Sequence, residues 1–245
     1  MTAATLETRK NRTALLAFGG ALAMLGLGYA AVPLYELFCQ VTGFGGTTQR
    51  ATESQAALAE RLGAAGIEDS DRLVLYGDPV QYGTYAFWAL TMAGHRQLKL
   101  LDGGRKKWIA DGRPMSAEIP VPAPVHHAPL TGDASMRVGR DDVLAHLGKP
   151  DRLLLDVRSP EEYSGKRVME YGQFDHGAER SGRIPGAVHL FFKELLNDDD
   201  TYKSEGELRA AFEGVGATPD NAEEIVVYCR LSHRATFAWV AMTHI

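Results

Sequence analysis

The chain is poor in cysteine, which limits the covalent chemistry open to it. Its 245 residues include two cysteines, Cys39 and Cys229. Two cysteines cannot build a disulfide framework, although in an oxidising compartment they could pair with each other and silence a thiol nucleophile. The sequence also lacks a phosphate-binding glycine loop and a serine nucleophile elbow. Disulfide scaffolds are therefore excluded, and the common nucleotide-binding and serine-hydrolase classes are disfavoured.

The sequence also argues against two classes of partner, nucleic acids and metal ions. The net charge of −5 disfavours nucleic acid, and the basic cluster at residues 105–107 is better explained as a solvated face. The adjacent residues His126 and His127 are the clearest candidate metal ligands. They lie in a proline-rich stretch, and no cysteine or carboxylate cluster accompanies them. We therefore predict no metal site.

Cys229 occupies a position where an activated thiolate is expected. A short apolar run at residues 225–228 predicts a buried strand, and the pattern from Arg234 onward predicts a helix. Cys229 therefore lies in a strand-to-helix turn. Backbone N–H groups of such a turn, the positive end of the helix and the flanking residues Arg230 and Arg234 would favour a negatively charged sulfur.

The alternative is that Cys229 is a small apolar residue closing a core strand. The polar residues that follow it favour an anion-binding, nucleophilic loop instead, because a packing position does not require them. Four residues separate Cys229 from Arg234, one fewer than in the loop of cysteine phosphatases. This shorter loop suits a sulfur anion better than a tetrahedral phosphate.

Three segments resemble the catalytic domain of the rhodanese family, the thiosulfate sulfurtransferases. They are LLLDVRSPEEYSG at 153–165, GRIPGAVHL at 182–190 and VVYCRLSHRA at 226–235, in the family's order. The resemblance implies that Cys229 attacks the outer sulfur of thiosulfate and holds it as a persulfide. The persulfide is then passed to cyanide or another thiophilic acceptor, and no metal or organic cofactor takes part.

The same resemblance assigns the other site residues. The loop residues would surround the persulfide and bind the sulfonate end of the donor: Arg230, Leu231, Ser232, His233 and Arg234. Asp156 and Arg158 match the family's Asp-x-Arg strand end, where we expect an ion pair that supports the loop. Some family members carry a further arginine just beyond this point, but here Glu161 and Glu162 stand in that neighbourhood.

The order of elements predicts an α/β fold. Apolar runs at 153–157 and 187–192 read as strands, and they alternate with helical patterns such as 205–215. The resemblance implies a rhodanese-type parallel sheet flanked by helices. We therefore expect residues 135–245 to form a catalytic rhodanese domain that is truncated at its C-terminal side.

A weaker copy of the same unit precedes this domain. Residues 73–115 resemble the latter half of the non-catalytic domain of two-domain rhodaneses, and Asp78 stands near the position of the thiol. We predict a partial, inactive rhodanese-like domain at 53–117. A proline-rich linker is expected at 118–134.

The N-terminus predicts a membrane anchor. Residues 13–35 carry no charge and are long enough to cross a bilayer as a helix, and basic residues precede them. The positive-inside rule then leaves residues 1–12 as a cytoplasmic tail and exports the C-terminal domain, to the periplasm or its equivalent. A signal peptide cut at Ala31 is the alternative.

Residues 36–52 suggest a second hypothesis. They resemble the membrane-proximal region of the copper-delivering assembly factor of cytochrome c oxidase, through Phe-Cys-Gln at 38–40 and Gly-Gly-Thr-Thr-Gln at 45–49. That family's Cys-x-Cys copper site is missing from this sequence. The chain could instead be a non-enzymatic, membrane-bound assembly factor that acts on oxidase assembly partners through Cys39. A third reading is a degenerate binding module whose truncated sheet cannot hold an active loop.

Overall fold

The computed structural model describes residues 51–170, 172, 174 and 180–244. The predicted cytoplasmic tail at 1–12, the transmembrane helix at 13–35 and Cys39 lie outside these residues, as does nearly all of the 36–52 segment. Among the helices that the structure describes, none combines the length and apolar character needed to span a membrane. The chain from Glu53 onward forms one compact unit.

Helices and strands alternate along this unit. The helices are α1 (Ala51–Ala64), α2 (Gln81–Ala93), α3 (Gly104–Ala110), α4 (Arg140–Ala145), α5 (Pro160–Ser164), α6 (Glu205–Gly214) and α7 (His233–His244). The strands are β1 (Leu73–Leu75), β2 (Leu98–Leu100), β3 (Arg152–Asp156), β4 (Val188–His189) and β5 (Glu224–Tyr228). Two 3-10 turns, Ala134–Met136 and Phe192–Leu195, complete the described elements.

The strands form two parallel sheets, which confirms the predicted α/β class. Strand β1 pairs with β2, and β3 lies between β4 and β5 in a three-stranded sheet. Leu155 is aligned with Val188 on one side and with Val227 on the other. Parallel neighbours require crossover connections, and the helices between the strands provide them.

The strand predicted at 187–192 is shorter in the structure. Strand β4 covers Val188–His189, and the chain then enters the 3-10 turn Phe192–Leu195. The turn places the side chains of Phe192 and Leu195 in the core, where both are buried. The N–H groups of Leu190 and Phe192 still donate to the carbonyl oxygens of Asp156 and Val157, at 3.1 and 3.2 Å, and the apolar run then ends in the turn.

The core lies between the three-stranded sheet and α7. Leu155, Val157 and Phe237 are fully buried within it. The ring of Tyr202 stacks on that of Phe237 with centroids 4.0 Å apart, and its hydroxyl donates to the Phe237 carbonyl oxygen at 2.9 Å. Because strand β5 leads directly into α7, this packing fixes the direction in which the chain leaves the sheet.

The N-terminal part of the unit packs on the same helix. Thr84 of α2 and Thr236 of α7 are buried, and their hydroxyl oxygens lie 3.2 Å apart. The Tyr202 N–H donates to the carboxylate of Asp102 at 2.9 Å, which makes a second connection. Helix α7 is therefore held between the sheet on one side and α2 on the other.

Candidate active site

Cys229 lies immediately after β5, at the carboxyl end of the parallel sheet. Tyr228, the last residue of β5, is aligned with Asp156, the last residue of β3. Cys229 is a free thiol, is partly exposed and packs against the edge of the core. In open parallel sheets this edge is where ligands bind, so the position favours chemistry as well as packing.

The loop after Cys229 turns sharply into helix α7. Ser232 has a φ of 68°, in the left-handed region that residues other than glycine seldom adopt. Its carbonyl oxygen accepts the hydrogen bond from the Thr236 N–H at 2.9 Å, which closes the first turn of the helix. The positive end of a twelve-residue helix therefore lies four residues from the sulfur.

A small cavity of about 150 Å³ opens beside the sulfur. Four of the five predicted binding residues line it together with Cys229, whereas Ser232 does not. The lining residues are Gln81, Glu162, Met169, Glu170, Cys229, Arg230, Leu231, His233 and Arg234. The cavity can hold a small anion, and Leu231 projects to solvent at its edge with 68% exposure.

Arg234 is paired with a buried carboxylate. Its Nη1 and Nη2 donate to the two oxygens of Glu162 at 2.6 and 2.9 Å, a bidentate arrangement. The Glu162 side chain is completely buried, and that of Arg234 is 14% exposed. The guanidinium predicted to bind the sulfonate is therefore directed at a residue of the protein itself.

Glu162 is held in place by the start of helix α5. The Ser159 side chain accepts from the Glu162 N–H at 3.3 Å, and the Glu162 carboxylate accepts from the Ser159 N–H at 3.1 Å. This reciprocal pair is a capping box, and Pro160 at the first helical position adds a fixed backbone angle. The same carboxylate thus caps the start of α5 and holds the first turn of α7 through Arg234.

Burial and the attraction between Glu162 and Arg234 shift the pKa of each group in opposite directions. Burial by itself would raise the pKa of the Glu162 carboxyl, but the hydrogen bonds and charge of Arg234 lower that pKa below its ordinary value. Burial likewise disfavours the charge on Arg234, yet Glu162 raises its pKa, with a smaller contribution from Cys229. Both groups are therefore charged at neutral pH.

The predicted pair Asp156 and Arg158 is also present. Asp156 is fully buried, and its carboxylate accepts from the Arg158 guanidinium at 2.6 and 2.9 Å. The same guanidinium donates to the Gly182 carbonyl oxygen at 2.8 Å. Neither residue lines the cavity. The pair ties the end of β3 to the turn before β4, which is a supporting role.

His233 is enclosed by aromatic rings from α2. The ring centroids of Tyr82 and Tyr85 lie 4.9 and 4.6 Å from that of His233, both edge-on. Burial and then the charge of Arg234 lower the pKa of His233, which keeps the imidazole neutral at pH 7. The N-terminal part of the unit therefore contacts the active loop directly.

Sequence reasoning missed several residues of the cavity. In the sequence Glu162 stands out as a departure from the family pattern, and its spacing from Ser159 is typical of a capping box. No local signal placed Glu170 or Gln81 beside Cys229, because they reach the site through the tertiary fold. Glu170 adds a second carboxylate to the lining.

The described residues offer no metal centre. Among them, no group of three or more histidine, cysteine, aspartate or glutamate side chains could hold an ion. His127 is buried, and its Nδ1 lies 2.8 Å from the Ala128 carbonyl oxygen and 3.0 Å from Asp69. These contacts fix the ring within the fold.

Comparisons with known proteins identify the family. A family model described as a rhodanese-like domain matches residues 140–244. The sulfur carrier protein TtuD of Thermus thermophilus is 41% identical over 199 residues, which are 79% of this chain and 67% of that protein. A Mycobacterium bovis protein named "Putative thiosulfate sulfurtransferase 1" is 38% identical over 183 residues, 74% of this chain and 64% of that one. The chain belongs to the rhodanese family and spans about two thirds of the length of these relatives.

Solved structures agree on the fold. The anaerobic ergothioneine biosynthesis enzyme of Chlorobium limicola, solved with trimethyl histidine, superposes with a TM-score of 0.66 at 24% identity. The wild-type structure of EanB gives the same values. Each match covers 77% of this chain and 48% of the other. This likeness concerns the fold alone.

The first prediction concerns the buried ion pair. Arg234→Ala would leave the Glu162 carboxylate buried without its partner, which typically costs about 3–5 kcal/mol of the free energy of unfolding. Arg209→Ala is the matched control, because it removes an arginine whose pair with Glu205 is 66% and 65% exposed. Urea denaturation should show a large loss for the first variant and little change for the second. Equal losses would contradict the structural role given to Arg234.

The second prediction concerns pH. The folded-state pKa of Glu162 lies below its ordinary value of 4.5, so its contribution to stability is complete above that pH. The contribution disappears as the pH falls through the folded-state pKa. Glu162→Gln should therefore be less stable than wild type at pH 7, and the difference should narrow on acidification. Denaturation from pH 7 to about pH 3 measures it. Glu205→Gln is the matched control, because it removes a carboxylate whose side chain is 65% exposed.

Proposed function

We propose that this chain is a sulfurtransferase that moves sulfane sulfur from thiosulfate to cyanide or a thiol acceptor through a persulfide on Cys229. The observation that carries the proposal is the position of Cys229. It is a partly exposed thiol immediately after β5, it lines a small cavity with Arg230 and Arg234, and a three-residue turn joins it to α7. The names of TtuD and the mycobacterial relative support the same class of reaction.

In the first half-reaction the Cys229 thiolate attacks the outer sulfur of thiosulfate. A new S–S bond forms to the cysteine, and the bond between the two sulfur atoms of thiosulfate breaks. Its electron pair leaves with sulfite, and the cysteine becomes a persulfide anion. Three negative charges enter this step and three leave it, so no proton transfer is required.

In the second half-reaction the acceptor attacks the terminal sulfur of the persulfide. The Cys229–S bond breaks, its electrons return to the cysteine sulfur as a thiolate, and cyanide becomes thiocyanate. A thiolate acceptor would become a persulfide in the same way. Donor, acceptor and cysteine supply every bond that changes, so the cycle does not call for a metal or an organic cofactor.

The residues around the cavity take different parts in this cycle. We assign the sulfonate end of the donor to Arg230, which lines the cavity, and to the loop backbone. The Arg234 guanidinium is directed at Glu162. Arg234 would then act as a positioning residue and as a fixed positive charge near the sulfur. Helix α7 adds its positive end to the stabilisation of the persulfide and the departing sulfite.

The parts of the chain would have different roles in this function. Residues 135–245 would hold the chemistry, since Cys229 is their only thiol. Residues 53–117 would support them through α2, and residues 118–134 would connect the two. The cysteine substitution that follows tests where the chemistry lies.

The third prediction tests the persulfide. The wild-type protein should form thiocyanate from thiosulfate and cyanide, whereas Cys229→Ser should lose this activity almost completely, since a hydroxyl cannot carry the sulfur. Arg209→Ala, remote from the cavity, should retain it. Mass spectrometry after thiosulfate treatment should show a gain of about 32 Da, one sulfur atom, in wild type only. Equal rates for wild type and Cys229→Ser would remove the enzymatic reading.

The fourth prediction concerns location. We also infer that residues 13–35 anchor the chain in a membrane, with residues 1–12 cytoplasmic and the sulfurtransferase part exported. The full chain should stay with membranes after alkaline carbonate washing, and deletion of residues 13–35 should release it. Release of the full chain by the same wash, or a new N-terminus near Ala31, would overturn the anchor.

A further inference from the structure

Among the described residues that line the cavity, acidic and basic side chains are equal in number. Two carboxylates, Glu162 and Glu170, line it together with two guanidinium groups, Arg230 and Arg234. With Cys229 as the thiolate of the proposed cycle, these described lining residues carry one more negative than positive charge. Lys193, which pairs with Glu170, is not part of the lining. A cavity built to attract a small dianion would be expected to carry an excess of positive charge.

Glu170 is the less buried of the two acids. Its carboxylate forms an ion pair with Lys193 on one side, and its other oxygen lies 4.0 Å from the Arg234 Nη1. The Glu170 side chain is 26% exposed, whereas that of Glu162 is completely buried. Both carboxylates have a cationic partner, but Glu170 is the one that an incoming donor can approach, because Glu162 is buried.

We propose that Glu170 is a specificity-determining residue that favours sulfane-sulfur donors carrying less negative charge than thiosulfate. Monoanionic thiosulfonates and organic persulfides have this chemistry. The inference rests on the proposed function, and it changes the preferred donor but not the reaction. With a thiosulfonate the cysteine again gains the outer sulfur, the S–S bond breaks, and a sulfinate leaves with the electron pair.

The size of the effect follows from the exposure of Glu170. A unit charge several ångströms from a donor is partly screened by water. Each additional charge on the donor therefore changes the interaction free energy by only a modest amount. This corresponds to about a three- to tenfold change in the relative rates of dianionic and monoanionic donors. The effect should shrink at high ionic strength.

The test compares thiosulfate, with two negative charges, with methanethiosulfonate, which has one. The quantity measured is kcat/KM for each donor in the cyanide assay. Glu170→Gln keeps the shape of the side chain and removes its charge, so the thiosulfate to methanethiosulfonate ratio should rise about three- to tenfold. Glu170→Asp keeps the charge, and Glu205→Gln removes a remote one, so both should retain the wild-type ratio.

Two further measurements check the sign of the effect. Lys193→Gln removes the nearer of the two cations beside Glu170 and should lower the ratio, the opposite direction to Glu170→Gln. In the wild-type protein, added salt should raise the ratio, because the dianion gains more from screening than the monoanion. The rise should be smaller in Glu170→Gln than in wild type, because both proteins screen the repulsion between thiolate and donor and only wild type also screens Glu170. The Lys193 side chain is 55% exposed, so Lys193→Gln keeps the test available even if a substitution at Glu170 prevents folding.

The outcomes separate this inference from the proposed function. If neither donor places a sulfur on Cys229, the sulfurtransferase proposal fails and the donor preference falls with it. If both donors form the persulfide but the ratio is the same in wild type and Glu170→Gln, the donor preference alone is overturned. A ratio that rises equally in Glu170→Asp and Glu170→Gln would also overturn it, because shape and not charge would then be responsible.

Discussion

One buried ion pair, between Glu162 and Arg234, holds the loop that carries Cys229 against the sheet. Removing two charges from water is costly, and such a pair is favourable only when its geometry is good and its other hydrogen bonds are made. Both conditions are met here. The contact is bidentate, and the Glu162 carboxylate also accepts the Ser159 N–H. The loop therefore depends on a contact between residues 72 positions apart in the chain.

A second support reaches the loop from α2. Tyr82 and Tyr85 pack edge-on against His233, and Thr84 meets Thr236 one turn further along α7. The first residues of α7 are thus fixed by Glu162 on one side and by α2 on the other. If Cys229 is the nucleophile, as proposed, this packing would position it before substrate arrives and lower the entropic cost of reaching the transition state. Residues 53–117, which contain no cysteine, can support the Cys229 loop in this indirect way.

Local patterns were enough to locate the elements that carry the site. The strands predicted at 153–157 and 225–228 are observed at Arg152–Asp156 and Glu224–Tyr228, and the helix expected from Arg234 begins at His233. These succeed because an apolar run and its flanking turn are properties of neighbouring residues.

The partner of Arg234 could not be found in the same way. From the sequence we expect Arg234 to lie near Cys229 with its charge directed at the substrate. In the fold, Glu162 of α5 pairs with the Arg234 guanidinium instead. The capping-box spacing of Ser159 and Glu162 predicts a helix start, but it does not show that the carboxylate has a second partner. Pairings of this kind depend on how the helices pack around the sheet, and periodicity carries no information about that.

An arginine that is already paired suits a two-step transfer of sulfur. In the proposed cycle the thiolate and the persulfide would each place one negative charge near the end of β5. Burial lowers the pKa of Arg234, whereas Glu162 and, to a smaller extent, Cys229 raise it. In the proposed cycle the guanidinium would keep the same position beside the sulfur in both states. A guanidinium bound to the sulfonate would instead lose its partner each time sulfite departed, and its surroundings would have to reorganise. A cation fixed by Glu162 remains in place throughout, which is the preorganisation that makes electrostatic stabilisation effective.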